Sequence, residues 1–456
     1  MVHTFECLGR RFMLDTESGS VFETDSITEK LAESPNARLG DFSDFPFAER
    51  AAAWSVTPDE LREAADELVS LVKAGLLYRP QPEYVPPVYH GVIKAMCLNV
   101  SHCCNLRCEY CFADGGTYNT RAMNMPPEVA ERAIDFLIAK SASRRNLEVD
   151  FFGGEPLLNM ETVRRTIEYA RSREKEAGKR FRFTITTNAY ALDRETAEYL
   201  NREMYNVVLS IDGRKSVHDA VRRTAAGGDS FDRSLENALA FRSIRGDGQY
   251  YVRGTYTARN KDFCADVVAM NDYGFDQISV EPVVLPETHP LALKESDVPA
   301  LEREYEKLAA VYLERRQTDK WFNFFHFMLD LDDGPCESKR MAGCGAGNEY
   351  VAVNPNGDIY PCHQFDGDEK FRMGSVNDGS FDTDIARFFA ENNLTKKPAC
   401  LNCWAKYYCS GGCAANAIRY GGGIDKPNAV SCALMKKRIE CAIAVSAVEK
   451  QNKMNN

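Results

Sequence analysis

No apolar run in the chain approaches the roughly 18–20 residues needed to cross a bilayer, so a membrane partner is not expected. The N-terminus, "MVHTFECLGRRFM", lacks a basic n-region followed by an apolar h-region. Export is therefore not expected, and in a cytoplasmic setting thiols stay reduced. Positive charge is also in short supply. Lys and Arg number 56 against 67 Asp and Glu, a formal net charge of −11, which argues against non-specific nucleic-acid binding. No G-x-G-x-x-G follows the first strand candidate, which counts against a nicotinamide enzyme. What is present is an ordinary globular composition, 44% apolar and 27% charged over 456 residues. That supports a real core, organised as a main domain with one or two attachments.

Cysteine breaks the pattern. There are 16, most of them in two groups, one near residue 108 and one between 336 and 432. The first begins "HCCNLRCEYCFADGG" at His102. Reduced thiols crowded this closely read as metal ligands or redox groups rather than as a disulfide.

The rest of the chain organises around these groups. "RRFMLDTESGSVFETD" alternates about a Gly-Ser turn, a hairpin signal. "SITEKLAES" reads as a short helix and "TPDELREAADELVSLVKAGLL" as a longer one, with a Thr cap and a Glu three residues on. Together they predict a winged-helix-like unit over residues 1–85. The proline-rich "YRPQPEYVPPVYH" then supplies a linker, taken as 86–92. Over 93–320 strand and helix patterns alternate. The strand candidates are "IKAMCLNVS", "LEVDFFG", "RFTITTN", "NVVLSID", "YVRGTYT" and "ISVEPVV". Alternation of this kind predicts an α/β fold with a parallel sheet and chemistry at the strands' C-terminal ends. Six units are too few for a closed eight-stranded barrel, so a partial (β/α)6 barrel is expected. A third, cysteine-rich and glycine-rich region runs over 321–456.

Cys104, Cys108 and Cys111 follow the first barrel strand as C-x3-C-x2-C. Both spacings let a loop wrap one iron–sulfur cubane, and three thiolates leave one iron open for a further ligand. Structural zinc is the plainer alternative, and it would want a fourth ligand. The arrangement resembles the radical S-adenosylmethionine (SAM) superfamily, with Tyr110 at that motif's aromatic position. "FFGGEP" ends the second strand. In that family Gly153, Gly154 and Glu155 hold the amino group of SAM, the glycines allowing close backbone approach. Thr187 and Asn188 end the third strand, Ser210 ends the fourth, and Arg253 has the chemistry to hold the SAM carboxylate. Each of these could instead be an ordinary polar strand end. The resemblance implies that SAM, bound at the open iron and cleaved by one electron, yields a 5′-deoxyadenosyl radical that abstracts hydrogen from an unactivated carbon. A reductant such as flavodoxin or ferredoxin is implied as a partner.

The second group comprises Cys344, Cys362, Cys400, Cys403, Cys409, Cys413 and Cys432. Its C-x2-C-x5-C-x3-C core is compatible by itself with a zinc ribbon. The full series of seven resembles the SPASM domain, which implies two auxiliary [4Fe–4S] clusters and three in all. By that resemblance Cys400, Cys403, Cys409 and Cys432 hold the outer cluster, and Cys344, Cys362 and Cys413 the inner one. The inner cluster's fourth position is either Cys336 or open to a substrate thiolate. The N-terminal unit resembles the leader-binding element of enzymes acting on ribosomally made peptides, where the leader adds a strand to the hairpin edge. As a whole the chain resembles the maturases of six-cysteine (SCIFF-type) peptides. That implies thioether bridges between a cysteine sulfur and a carbon of another residue in a precursor peptide. Carbon–carbon cross-linking and sulfatase-type formylglycine formation share the same architecture. An electron-transfer protein would leave "FFGGEP" and the three-thiol site unexplained.

Overall fold

The structure, a computed structural model, describes residues 1–84, 89–329, 331 and 340–455. Cys336, the candidate fourth ligand, lies outside the described residues.

The expected hairpin is there, with one strand more. β1 (Val2–Cys7), β2 (Arg10–Asp15) and β3 (Val21–Thr24) form an antiparallel sheet in that order. β1 was missed because "VHTFEC" shows little alternation. Four helices follow: α1 (Ser26–Ala32), α2 (Pro35–Leu39), α3 (Phe47–Trp54) and α4 (Pro58–Lys73). α4 starts at the capping box read from sequence. The Thr57 side chain accepts from the Glu60 N–H, and the Glu60 carboxylate accepts from the Thr57 N–H. One face of the small sheet, through Met13 and Phe22, packs on these helices. The other face, through Phe5, Cys7, Phe12 and Leu14, belongs to the main core of the molecule. Cys7 Sγ lies 3.8 Å from Cys441 Sγ on the C-terminal helix, Ala429–Asn455. The module is thus keyed into the body of the protein as well as joined to it by the 78–90 segment.

All six strand candidates form. β4 (Ala95–Ser101), with the short β5 (Leu106–Cys108) after it, precedes β6 (Asn146–Gly153), β7 (Arg180–Thr187) and β8 (Asn206–Ser210). The short β9 (Arg222–Thr224) pairs with β5, outside the main sheet. β10 (Gln249–Tyr256) and β11 (Gln277–Pro282) complete the parallel run β4-β6-β7-β8-β10-β11. β4 is buried along its whole length, as a strand covered on both faces requires. Among the described residues the sheet grows at both ends. β12 (Asn323–Phe324) adds parallel to β11, and β13 (Tyr350–Val353) adds parallel to β4. β14 (Asp358–Tyr360), β15 (Gly374–Ser375) and β16 (Ser380–Phe381) continue antiparallel from β13. The cysteine-rich region is therefore hydrogen-bonded to the first barrel strand. Parallel strands end on one rim, and that rim collects the "GGE" turn after β6, Asn188 after β7, Ser210 at the end of β8 and Glu281 on β11. Arg253 pairs across the ladder with Ser210.

Candidate active site

A single cavity of about 670 Å³ opens over this rim. Its floor holds Cys104, Cys108, Tyr110 and Cys111 beside Gly153, Gly154, Glu155, Asn188, Ser210 and Arg253. The same cavity is also lined by Cys400, Cys403, Cys409, Cys413 and Cys432. The two cysteine groups, some 300 residues apart in sequence, face the same space. Cys344 and Cys362 are outside that lining. Cys344 is exposed and Cys362 buried, and both lie within electrostatic reach of Cys413. Cys409 feels Cys432, Cys400 and Cys403 in the same way, and Cys104 feels Cys108 and Cys111.

Burial pushes the Cys104 thiol up to about 12 and Cys108 up to about 11. Cys362 and Cys409 are likewise pushed up, to about 12 and about 11, by burial. Metal ligands bind as thiolates, so ligation at these positions would release protons. Among the described residues no three His, Cys, Asp or Glu side chains converge closely enough to share one ion. The thiols ring a space instead, and their soft donor set fits a multi-iron cluster.

The glycines of the "GGE" turn are packed tightly against neighbouring backbone. A Cβ on Gly153 would stand 2.4 Å from the Ser101 carbonyl oxygen, and one on Gly154 would stand 2.3 Å from that of Cys103. The close approach that needs glycine is thus made by the backbone of the cysteine loop. Gly154 N–H donates to Ser101 O (2.7 Å) and Glu155 N–H to Cys103 O (2.8 Å), which clamps that loop to β6. Glu155 is 1% exposed, and burial pushes its carboxyl up to about 6. It accepts from Leu157 N–H (3.1 Å), Thr187 Oγ1 (2.6 Å) and Asn188 N–H (2.8 Å). Asn188 Nδ2 donates to Asn105 Oδ1 at 2.8 Å and lies 3.8 Å from Cys104 Sγ. Tyr110 spends its hydroxyl on Asp212 Oδ2 at 2.5 Å.

Several cavity residues were missed by sequence reasoning. Arg222 is buried, and its Nε donates to the Tyr110 hydroxyl (2.9 Å) and lies 3.2 Å from Asp212 Oδ2. It faces Cys104 and Cys108 electrostatically, as a second basic residue alongside Arg253. Its signal was a buried-type helix end, "HDAVRRT", carrying an arginine with no apolar stripe to sit on. On the other side, Glu281 is bound by His326 Nε2 (3.0 Å) and by Arg438 Nη1 (3.1 Å) of the C-terminal helix. Burial alone would raise the Glu281 carboxyl, but His326, Arg438 and Arg253 hold it well below the usual carboxylate range. His363 packs against both Phe112 and Phe152, and burial pulls its ring down to about 4.

Comparison with known proteins places this architecture. The radical SAM superfamily matches residues 98–256, and SPASM, an iron–sulfur cluster-binding domain, matches residues 344–404. The chain carries a radical SAM domain followed by a SPASM domain. A radical SAM cyclopropyl synthase, TigE of Paramaledivibacter caminithermalis, is 25% identical over 75% of this chain and 72% of its own length. A cysteine-type anaerobic sulfatase-maturating enzyme of Clostridium novyi is 23% identical over 69% of this chain and 85% of its own length. The solved structure of native anSMEcpe with bound AdoMet superposes with a TM-score of 0.65 at 20% identity, covering 79% of this chain and 99% of that one. Streptococcus suis SuiB bound to its precursor peptide SuiA superposes at 0.53 and 19% identity, covering 92% of this chain and 96% of that one. At these identities the solved structures establish the fold. The partial parallel barrel and the C-terminal SPASM region are thereby shown, and residues of both cysteine groups line one cavity. Among the described residues no helix is long and apolar enough to cross a membrane.

Proposed function

We propose that this radical SAM–SPASM modification enzyme installs thioether cross-links in a ribosomally made, cysteine-rich precursor peptide. The observation that carries the reading is the shared cavity, where the radical SAM cysteines and five SPASM cysteines face one space. A peptide held there has its reacting carbon and its sulfur between the two groups. The cofactors are SAM and [4Fe–4S] clusters, and the ten motif cysteines suit three clusters. When bound, SAM and the reduced cluster at Cys104, Cys108 and Cys111 supply a carbon-centred radical that takes hydrogen from an unactivated carbon.

The chain's own residues bind and orient. Arg222 and Arg253 offer positive charge to a carboxylate, while Ser210 and Asn188 offer hydrogen bonds at neighbouring strand ends. Phe112 and Phe152 line the cavity as neighbouring rings, 6.4 Å between centroids. Closing a thioether removes two hydrogens per bridge from the peptide. The carbon-bound hydrogen would go to the carbon-centred radical, the thiol proton to solvent, and the remaining electron to an iron–sulfur cluster that the SPASM cysteines would hold. For the leader, the N-terminal sheet leaves β1 and β3 as edges, each able to accept a strand. A groove of about 640 Å³ lined by His3, Arg38 and Tyr78 runs beside β1.

The likeness to the Clostridium novyi enzyme favours a second reading, formylglycine formation from a cysteine. One experiment separates the two. A cysteine-rich precursor is incubated with anaerobically reduced enzyme and SAM, alkylated, and analysed by mass spectrometry. Thioether formation lowers the mass by two hydrogens per bridge and blocks alkylation of that sulfur without losing it. Formylglycine formation loses the sulfur. Recovery of fully alkylatable precursor from an enzyme that cleaves SAM defeats the thioether reading.

A further inference from the structure

The turn of the N-terminal hairpin is buried although it carries two carboxylates. Asp15, Thr16 and Glu17 are almost wholly shielded from solvent. Asp15 is held locally through one oxygen, its Oδ1 accepting from the Glu17 N–H (3.1 Å) and the Ser18 N–H (2.8 Å), while its Oδ2, 3.9 Å from the Met1 amino group, accepts no hydrogen bond. Glu17 reaches out of its own module. Lys406 Nζ lies 2.5 Å from its Oε1, and the Tyr407 hydroxyl donates to its Oε2 at 2.8 Å. The Tyr84 hydroxyl, near the end of the 1–85 unit, lies 2.6 Å from that of Tyr407. Lys406 is 1% exposed and Glu17 2%, so neither charge has water to fall back on.

Lys406 and Tyr407 sit between Cys403 and Cys409. The same hairpin makes further contacts there. Thr16 Oγ1 donates to the Trp404 carbonyl at 3.3 Å, and the His3 ring stacks on Trp404 at 3.9 Å between centroids. His3 also lies 2.9 Å from Glu440 on the C-terminal helix, which carries Cys432 in its first turn. The hairpin therefore touches both segments that bear Cys400, Cys403, Cys409 and Cys432. Apolar packing would hold these pieces together just as firmly, because desolvating an ion pair offsets much of its attraction. What a buried pair adds is register. A lysine with one available carboxylate admits a single placement of the 401–408 backbone, whereas an apolar contact tolerates sliding.

We infer that Glu17 is a positioning residue for the outer cysteine group: through Lys406, the N-terminal hairpin sets the geometry of the loop carrying Cys400, Cys403 and Cys409. This rests on the reading that these three, with Cys432, hold one cluster. The first 24 residues are then a structural part of the SPASM site as well as part of the peptide-recognition module.

The test uses full-length enzyme purified anaerobically with its clusters. Glu17→Gln keeps the side chain's shape and an acceptor oxygen while removing the charge, and Lys406→Met removes the partner. Each variant is compared with wild type by iron content, by electron paramagnetic resonance of the reduced clusters, and by the rate of iron release to a ferrous chelator. Both should fold, bind SAM with the wild-type spectral change at the first cluster, and show an altered signal from one auxiliary cluster. That cluster's iron should be released roughly tenfold faster, as expected when a buried charge loses its partner. The exchanged pair, Glu17→Lys with Lys406→Glu, should restore part of the signal. Wild-type spectra and release rates in both single variants overturn the proposal. Equal weakening of every cluster also overturns it, since that is general destabilisation. A variant with Cys400, Cys403, Cys409 and Cys432 all changed to alanine is the control for the underlying reading. If it keeps wild-type iron and spectra, the outer cluster is not where it was placed, an outcome distinct from failure at Glu17.

Discussion

Gly154 shows how one missing side chain can support a reactive centre. Its Cβ position is filled by the Cys103 carbonyl carbon and oxygen, at 2.7 and 2.3 Å, and by Gly116 Cα at 2.9 Å. All three are backbone atoms that cannot swing aside. Gly154→Ala should push the cysteine loop off β6, cost about 1–3 kcal/mol as overpacking does, and release about four irons per chain, one cubane's worth. Iron analysis with a SAM-cleavage assay checks this; loaded, active enzyme would mean the loop can yield. His218 makes a pH argument at the same scale. Its ring is buried beneath the Asp212 turn, where Nδ1 accepts from the Asp212 N–H (3.3 Å) and Nε2 lies 3.0 Å from Ser230 Oγ. Burial, with Arg222 and Lys215 nearby, pulls it down to about 2 from an ordinary 6.5. Below pH 6.5 the unfolded chain takes up a proton that the folded chain refuses. The stability this residue contributes is therefore complete above pH 6.5 and declines as pH falls. Between pH 7 and 5 the loss is about 2 kcal/mol. Denaturant titrations should show a shallower decline over that range in His218→Gln, and equal slopes would show that the ring is not held neutral.

Among the elements, the C-terminal helix does the most joining. It carries Cys432 at one end, Arg438 against Glu281 on β11 in the middle, and Cys441 against Cys7 further on. Arg438 is 8% exposed, and with His326 it neutralises a carboxylate facing the cavity. Arg438→Met would leave Glu281 with the charge of Arg253 and with His326, whose own ring is pulled below its usual range by burial. A loss of about 3 kcal/mol in unfolding free energy is expected, typical of breaking one side of a buried pair. The loss should shrink at low pH, where Glu281 can protonate. A pH-independent loss would assign the effect to packing alone.

For the whole molecule, the small N-terminal sheet is shared between two cores, one under its own helices and one under the C-terminal helix and Trp404. Deleting residues 1–84 would bare the second of these surfaces. The truncated chain should unfold roughly 5–10 °C lower than the full chain, a shift of a few kcal/mol at this size. Calorimetry checks this, and an unchanged transition would show the module to be a separable attachment. Much of the architecture was legible in sequence, because it depends on local chemistry. Period-two and period-3.6 patterns, the Thr57–Glu60 cap and the C-x3-C-x2-C spacing are written within a few residues of one another. The facing of two cysteine groups was not legible, since it follows from β13 pairing with β4, a contact between strands about 250 residues apart. Nor were Glu281 and Lys406, which look like ordinary surface charges in sequence. Only burial among distant partners makes them matter. The glycines of "FFGGEP" were legible as sites of close backbone approach, but the backbone they approach, that of the cysteine loop, was not. Sequence by itself determined the elements and the donor atoms; tertiary structure decided which backbone approaches which glycine and which charges lose their water, because both depend on contacts that no local pattern encodes.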